Sequence, residues 1–176
     1  LTVGVDTNDN AVFNGNVNIE NTDLVIRGTD LDPMSIGRGG GAVSTNTRVG
    51  VSALNANTSG SQNTAIGYQA LLTNNVGASN TAIGNRALRV AGVASNNIAI
   101  GKDVMLVTLS GSKNVAIGNN AMESNQTGDA NVCIGHYAGY DVLGSGNVLI
   151  GPADNETSAD VTFRPPNISG DRQLVI

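Results

Sequence analysis

The middle of this 176-residue chain repeats a five-residue block of the form Asn-x-Ala-Ile-Gly. The glycine that closes each copy follows the previous one after 17 residues, or after 16 in the last copy. A period of 17 residues is too short for a two-helix repeat or a propeller blade, but it suits one coil of a solenoid. The copies end at Gly67, Gly84, Gly101, Gly118, Gly135 and Gly151, with a degenerate copy ending at Gly50 and a half-copy at Ile36-Gly37.

The residues around each glycine predict how one coil is built. Residues 64–66, Thr-Ala-Ile, are β-prone, while Gly67 and Gly60 mark corners of the coil. We therefore predict a mainly β protein, a parallel β-solenoid or β-roll of about seven 17-residue coils, which at the usual strand spacing makes a rod roughly 30 Å long. The limb after each glycine carries an Ala-Leu pair, as in residues 70–71, and fits either a second strand, which we favour, or one helical turn.

The predicted strand has two apolar faces, whereas a thin coil has only one interior. One face carries β-branched residues at the third and the first position before each glycine. The other face carries an asparagine four positions before the glycine and a mostly small residue two positions before it. We expect the branched face to fill the coil and the small face to pack around a symmetry axis in an intertwined homotrimer. We also expect the asparagines to stack as a hydrogen-bonded ladder. The small-residue positions are Ala65, Ala82, Ala99, Ala116, Cys133 and Leu149.

Arg48 occupies the small-residue position in the first, degenerate copy. A charged side chain inside such a stack needs water or a partner of opposite charge. We therefore expect Arg48 to lie at an open end of the axis or to pair with an acid such as Asp30 or Asp32.

Charge and composition exclude two classes of partner. The net charge is −5 and the chain has no basic run, so we expect no binding to nucleic acid. The longest uninterrupted apolar stretch is residues 104–107, far short of the roughly 20 residues that cross a bilayer, so we expect no membrane insertion. Aromatic residues make up 3% of the chain, and any core must therefore be aliphatic.

No pattern typical of catalysis or metal binding is complete. Asp6, Asn8 and Asn10 match the first ligand positions of an EF-hand loop, but the glycine and the glutamate that this loop needs are missing. His136 is the only histidine, and Cys133 falls on the opposite face of the strand, so we predict neither a metal site nor a Cys-His pair. No pair of carboxylates recurs at one repeat position either. We expect no catalytic residue, no metal and no cofactor, and hence a protein that is not an enzyme.

The extended pattern Asn-x-Ala-Ile-Gly-x-x-Ala-Leu, which covers about residues 34–151, resembles the head repeats of trimeric autotransporter adhesins. Its 17-residue spacing resembles more closely the repeat regions of tail-fibre proteins from tailed phages. The adhesin repeats are shorter, and they form a left-handed parallel β-roll that trimerises along its axis. The resemblance implies a trimeric β-roll head here as well.

The flanks favour the phage proteins. Residues 1–33 contain short alternating segments with Asn-Gly turns, similar to the β-segments that precede fibre domains, and we interpret them as an N-terminal shaft or connector. We interpret residues 152–176 as a connector and a short β-segment. Residues 170–176 resemble the segment that precedes an endosialidase-type chaperone domain in phage fibres, and the resemblance implies that such a domain would follow. We expect strands at 161–163 and 174–176 to cross between subunits and to close the exposed end of the solenoid.

The resemblance implies a virion structural protein, a segment of a trimeric phage tail fibre that takes part in host attachment. Its partners would be its own copies, other tail proteins of the virion, and a glycan or protein of the host cell surface. The alternative is the head of a bacterial trimeric autotransporter adhesin at the bacterial cell surface. If the outer face binds a receptor, the variable residues after the glycines are the candidates, because the other positions are committed to stacking. These candidates are Tyr68, Arg86, Arg89, Lys102, His136, Tyr137 and Tyr140.

Overall fold

The computed structural model describes residues 4–5, 11–12, 24–26, 34–140, 142, 144–152 and 174–175. Within these residues the backbone forms short β-strands and one turn of 3-10 helix at Gly40–Ala42. The strands are β1 (Gly4–Val5), β2 (Ala11–Val12), β3 (Leu24–Ile26), β4 (Met34–Gly37), β5 (Thr47–Val49), β6 (Thr64–Ile66), β7 (Thr73–Asn74), β8 (Thr81–Ile83), β9 (Val90–Gly92), β10 (Ile98–Ile100), β11 (Val115–Ile117), β12 (Val132–Ile134), β13 (Val148–Ile150) and β14 (Leu174–Val175).

Seven of these strands, one from each repeat, form a continuous parallel sheet. Each residue pairs with its counterpart one period along the chain, so that Ala82 lies beside Ala99 and Ala99 beside Ala116. We number the coils from 1 to 7 by these strands, in the order β5, β6, β8, β10, β11, β12 and β13. The described part of the chain has no α-helix. The prediction of a mainly β, parallel solenoid with a 17-residue period is confirmed.

The interior of the coil is filled by the face opposite to the one we predicted. Ala65, Ala82 and Ala99 are 0% exposed, whereas the branched residues Ile66 and Ile98 are 37% and 40% exposed. The expectation that branched residues fill the coil is therefore wrong. The interior also holds the residue four after each glycine, and a large side chain there leaves room for only a small one on the strand. Those large buried side chains are Leu54, Leu71, Leu88, Met105 and Met122.

In coil 6 the larger of the two interior side chains is on the strand, and the smaller one is on the limb after the glycine. Cys133 replaces the alanine of the strand, and Gly139 replaces the leucine or methionine. A Cβ atom placed on Gly139 would lie 2.4 Å from the Sγ atom of Cys133. These two positions therefore face each other across the coil, and their combined volume limits what either can hold.

The limb after each glycine is mainly a turn, and in most coils it is neither the strand nor the helical turn that we considered. Its second and fourth residues take left-handed φ angles, 55° at Gln69 and 49° at Leu71, and the same positions are left-handed in all six coils from Gly50 to Gly139. In the described limbs, β7 pairs with β9 in an irregular register, and a single parallel bridge joins Val90 to Val107 of the next coil.

The glycine that ends each strand is required by the neighbouring coil. Gly84 has a φ of 135°, and a Cβ atom on it would lie 2.2 Å from the carbonyl oxygen of Gly101. A side chain is thus disfavoured both by the backbone conformation and by the distance between coils. This corner fixes how closely the coils stack.

A ladder of buried asparagines runs along the corner before the strand, as predicted. The side-chain oxygen of each asparagine accepts the backbone N–H of the next one at 2.8–3.0 Å. The side-chain N–H group donates to a backbone carbonyl further along the chain, as from Asn97 to Gly111, 14 residues later, at 2.9 Å. The amides thereby satisfy backbone groups that are closed off from water. The ladder consists of Asn46, Asn63, Asn80, Asn97, Asn114, Asn131 and Asn147.

Both ends of the parallel sheet carry further strands. β4 pairs with β5 in the antiparallel sense, and β3 pairs with β4 in the same way. The half-copy Ile36-Gly37 therefore runs opposite to the true repeats and is not a coil. At the other end, β14 pairs in parallel with β13 of its own chain. The strand expected at 161–163 lies outside the described residues.

Arg48 lies on β5, beside β4, and is half-buried. Its Nη1 atom donates to the carbonyl oxygen of Ala53 at 3.4 Å. Asp30 and Asp32, the acids that we expected as partners, lie outside the described residues.

Candidate functional site

The predicted receptor-facing residues all fall on one strip of the solenoid surface. We define the post-glycine ridge as the first, second and fifth residues after the glycine that follows the strand of the parallel sheet in each of coils 1 to 6. Backbone hydrogen bonds join the strip from coil to coil: the N–H of Arg86 donates to the carbonyl of Tyr68 at 2.8 Å, and that of Tyr137 to Asn119 at 3.0 Å. The ridge therefore presents variable side chains on a rigid, regularly spaced backbone.

The middle of the ridge is occupied by an ion pair. Arg86 of coil 3 binds Asp103 of coil 4 through two contacts, Nε to Oδ1 at 2.6 Å and Nη2 to Oδ2 at 2.7 Å. The hydrogen bond and the charge of Asp103 raise the pKa of Arg86. The side chain of Asp103 is only 7% exposed, and Lys102 lies 3.8 Å from it. Because its guanidinium is committed to Asp103, we assign Arg86 to joining the coils.

Three of the remaining candidates differ in how freely they reach solvent. The Nε atom of Arg89 donates to Oε1 of Gln69 at 3.2 Å, which ties it to coil 2. The side chain of Lys102 is 63% exposed, and Tyr68 is 46% exposed. Lys102 and Tyr68 are therefore accessible to a partner, but they stand two coils apart and do not form one cluster.

The three aromatic candidates of coil 6 do form a cluster. The ring centroids of His136 and Tyr137 are 4.3 Å apart with an interplanar angle of 67°, and those of Tyr137 and Tyr140 are 5.7 Å apart at 56°. His136 is exposed, and the two tyrosines are half-buried. Partial burial holds the tyrosine rings in place and leaves part of each accessible.

The structure also exposes two apolar surfaces that we did not predict. The first is the branched face of the parallel sheet, formed by the residues three before and one before each glycine. The second is an apolar corner at the far end of the post-glycine limb, where Val76, Val93 and Leu109 are 48%, 58% and 47% exposed. Val76 and Val93 are the ninth residues after their glycines. The outer coils carry the polar residues Ser59 and Thr127 at that position, and the sequence repeat already shows this contrast.

The described residues include no cluster of three or more His, Cys, Asp or Glu side chains that could hold a metal ion. Burial raises the pKa of the Cys133 thiol to about 12, and a thiol with that pKa stays protonated at neutral pH. None of the helices found in the described residues is long and apolar enough to cross a membrane.

Comparisons of this chain with protein-family models, with curated proteins and with solved structures find no match.

Proposed function

We propose that this chain is a non-catalytic structural protein, a segment of a homotrimeric phage tail fibre that takes part in attachment of the virion to its host. The observation that carries the proposal is the exposed branched face of the sheet, which gives a rod of stacked coils one long apolar side. The resemblance of the repeats supplies the biological setting.

The branched face supports self-association for a physical reason. It extends over all seven coils, and Ile66 in coil 2 and Ile150 in coil 7 are 37% and 41% exposed. An apolar surface of this length on a free chain is unfavourable in water, and the same face of identical chains offers a matching partner around a cyclic axis. In the proposed trimer the branched faces meet at the axis, in place of the alanine faces that we first expected there.

The post-glycine ridge is suited to recognition. The post-glycine ridge combines exposed polar and aromatic side chains, including Tyr68, Lys102 and His136, on a backbone that the stacking fixes. A trimer would carry three such ridges, so that a weak contact with a host cell-surface glycan or protein would be multiplied. Other tail proteins of the virion would join the fibre at its ends.

The alternative is the head of a bacterial trimeric adhesin, which would place the same rod at a bacterial cell surface. The shared repeat pattern favours this alternative as well. The two proposals differ in location: an antibody raised against the chain would label tail fibres of virions in one case and intact bacterial cells in the other. Labelling of neither would overturn both.

Self-association is tested by light scattering on the purified chain. We expect a mass close to three times the 17.8 kDa of the chain. Ile98→Asp, on the branched face, should yield folded monomers, because three carboxylates would meet at the axis. Asn119→Asp, on the exposed ridge, is the matched control and should remain a trimer. A folded wild-type monomer, or an unaltered mass for Ile98→Asp, would overturn the trimer.

A further inference from the structure

We propose that the ridge at coils 5 and 6 binds a neutral saccharide, whose apolar face stacks on Tyr137 and Tyr140 and whose hydroxyl groups donate to Glu123. This inference rests on the proposed function, since it names the ligand of one part of the same ridge. It follows from the side chains that the 17-residue period places next to one another in these two coils.

The period brings an aromatic row against a polar row. In coil 6 the first, second and fifth residues after the glycine are His136, Tyr137 and Tyr140. The same positions of coil 5 hold Asn119, Asn120 and Glu123. Backbone hydrogen bonds from Tyr137 to Asn119 and from Ser124 to Tyr140, both 3.0 Å long, hold the two coils in register. No other pair of adjacent coils in the described ridge places three aromatic rings beside an amide and a carboxylate.

The aromatic row has the properties of a stacking platform. Tyr137 and Tyr140 are half-buried and their rings are tilted against each other by 56°. Held rings lose little conformational entropy when a ligand binds, and their faces interact with the C–H groups on the apolar side of a pyranose. Tyr68 of coil 2 is 46% exposed, and its surroundings hold it less firmly than those of the two half-buried tyrosines.

The polar row supplies hydrogen-bond acceptors. The side-chain amide of Asn120 donates to the Glu123 carboxylate, which orients that group. An ionised carboxylate has about four acceptor positions, so one amide does not saturate it. Hydroxyl groups on adjacent carbons of a sugar can donate to such a carboxylate, and hydrogen bonds to a charged acceptor are the stronger kind.

Charge selects a neutral ligand. The carboxylate beside the aromatic row belongs to Glu123, and like charges placed together disfavour an acidic sugar. Two cations lie further along the ridge, and both face Asp103. Lys102 of coil 4 lies 3.8 Å from it, and Arg86 of coil 3, whose charge also interacts with Glu123, is bound to it at 2.6 Å. A sialylated glycan would therefore bind more weakly than the same glycan without its acidic residue.

The test is a titration of the whole 176-residue protein, by calorimetry and saturation-transfer NMR, with a panel of neutral hexose oligosaccharides and their sialylated forms. We expect one or more neutral members to bind and the sialylated forms to bind more weakly. Tyr140→Ala should weaken binding by about tenfold, which corresponds to about 1.4 kcal/mol. Tyr140→Phe, which keeps the ring, should stay within about threefold of the wild type, because the ring and not the hydroxyl group stacks on the sugar.

Two further variants test where the saccharide binds and whether the Glu123 carboxylate contributes to binding. Tyr68→Ala is the matched control at coil 2 and should leave affinity unchanged. Glu123→Gln should weaken binding of the neutral saccharide about fivefold, because a neutral acceptor replaces a charged one. Absence of binding by every neutral saccharide, an equal loss for Tyr68→Ala, or stronger binding of the sialylated forms would overturn the inference.

The outcome is separable from that of the proposed function. If the protein is a trimer and the antibody labels virions, but no saccharide binds, only the saccharide site is overturned. A monomer that binds the saccharide through Tyr140 overturns the trimeric fibre and leaves the site standing.

Discussion

The side-chain oxygen of Asn114 accepts the backbone N–H of Asn131, its counterpart one coil along, at 2.9 Å. Both residues are 0% exposed, so water cannot replace this bond. The side-chain amide of Asn114 also donates to Asn97 at 3.2 Å and to the carbonyl of Gly128 at 2.8 Å. One side chain thus links three coils, and its removal has a predictable effect.

Asn114→Ala should lower the free energy of unfolding by about 3 kcal/mol, because the buried N–H of Asn131 loses its acceptor. Asn119→Ala is the control on the exposed ridge and should cost less than about 1 kcal/mol. Urea denaturation followed by circular dichroism measures both. Equal losses would contradict a structural role for the ladder.

Gly101→Ala and Gly151→Ala separate the two demands on the glycine corner. Both glycines have positive φ, 141° and 135°, so each alanine costs about 1–2 kcal/mol of backbone strain. A Cβ atom on Gly101 would also lie 2.5 Å from the carbonyl oxygen of Gly118, whereas at Gly151 no described atom lies within 4 Å. Gly101→Ala should therefore have much the lower melting temperature of the two. Similar melting temperatures would show that stacking distance is not limiting.

Ala99→Asp should be far more damaging than Asn119→Asp. Ala99 is 0% exposed inside the coil, and an unpaired carboxylate there should lower the free energy of unfolding by several kcal/mol. Asn119 is exposed, and an aspartate there can still accept the N–H of Lys102 that Asn119 now accepts at 3.0 Å. Because the alanine lies within one chain, the loss should also appear in monomers released by Ile98→Asp. Comparable thermal stability of the two variants would overturn the assignment of the faces.

The thiol of Cys133 should make stability fall in alkaline solution. Its pKa is raised from 9.0 to about 12 by burial, so the folded state favours the neutral thiol. The contribution is complete below pH 9, where the thiol is protonated in both states, and it is lost as the pH rises from 9 towards 12. Over that interval the loss is about 1.4 kcal/mol per pH unit.

Cys133→Ala is the control for this pH dependence, because it keeps the other titrating groups. Denaturant unfolding at pH 8, 9 and 10 should show a steeper decline for the wild type than for the variant. Parallel declines would mean that the thiol is accessible to solvent.

The period alone was sufficient to locate the strands and the ladder. The strand predicted at residues 64–66 is β6, and the asparagines stack because every coil repeats the same corner. Because the spacing is constant, equivalent residues of successive coils become neighbours, and these contacts can be predicted from the sequence. The pair Arg86 and Asp103, 17 residues apart, could have been found in the same way.

The sequence did not reveal which face of the strand turns towards the coil interior. Both faces are apolar, so the alternation of residues along the strand does not distinguish the inner face from the outer one. Leu71 fills the interior opposite Ala65, and the alanine face therefore turns inwards. The position of Leu71 depends in turn on its left-handed φ of 49°. Such a φ is rare for leucine, so propensity argues against the conformation that the stack imposes. The residues of the aromatic cluster were predicted one by one, but the ring contacts among them depend on that same turn.

The order of the strands determines how the rod responds to force. In the sheet that contains the solenoid, β3 and β14 stand at opposite ends, so tension between them acts along the direction of the interstrand hydrogen bonds. Bonds loaded in this direction open one strand at a time, as a zipper does. Each released coil of 17 residues adds about 60 Å of extended chain. Optical tweezers should therefore record a staircase of equal steps, and rupture in a single step would show that the coils share the load.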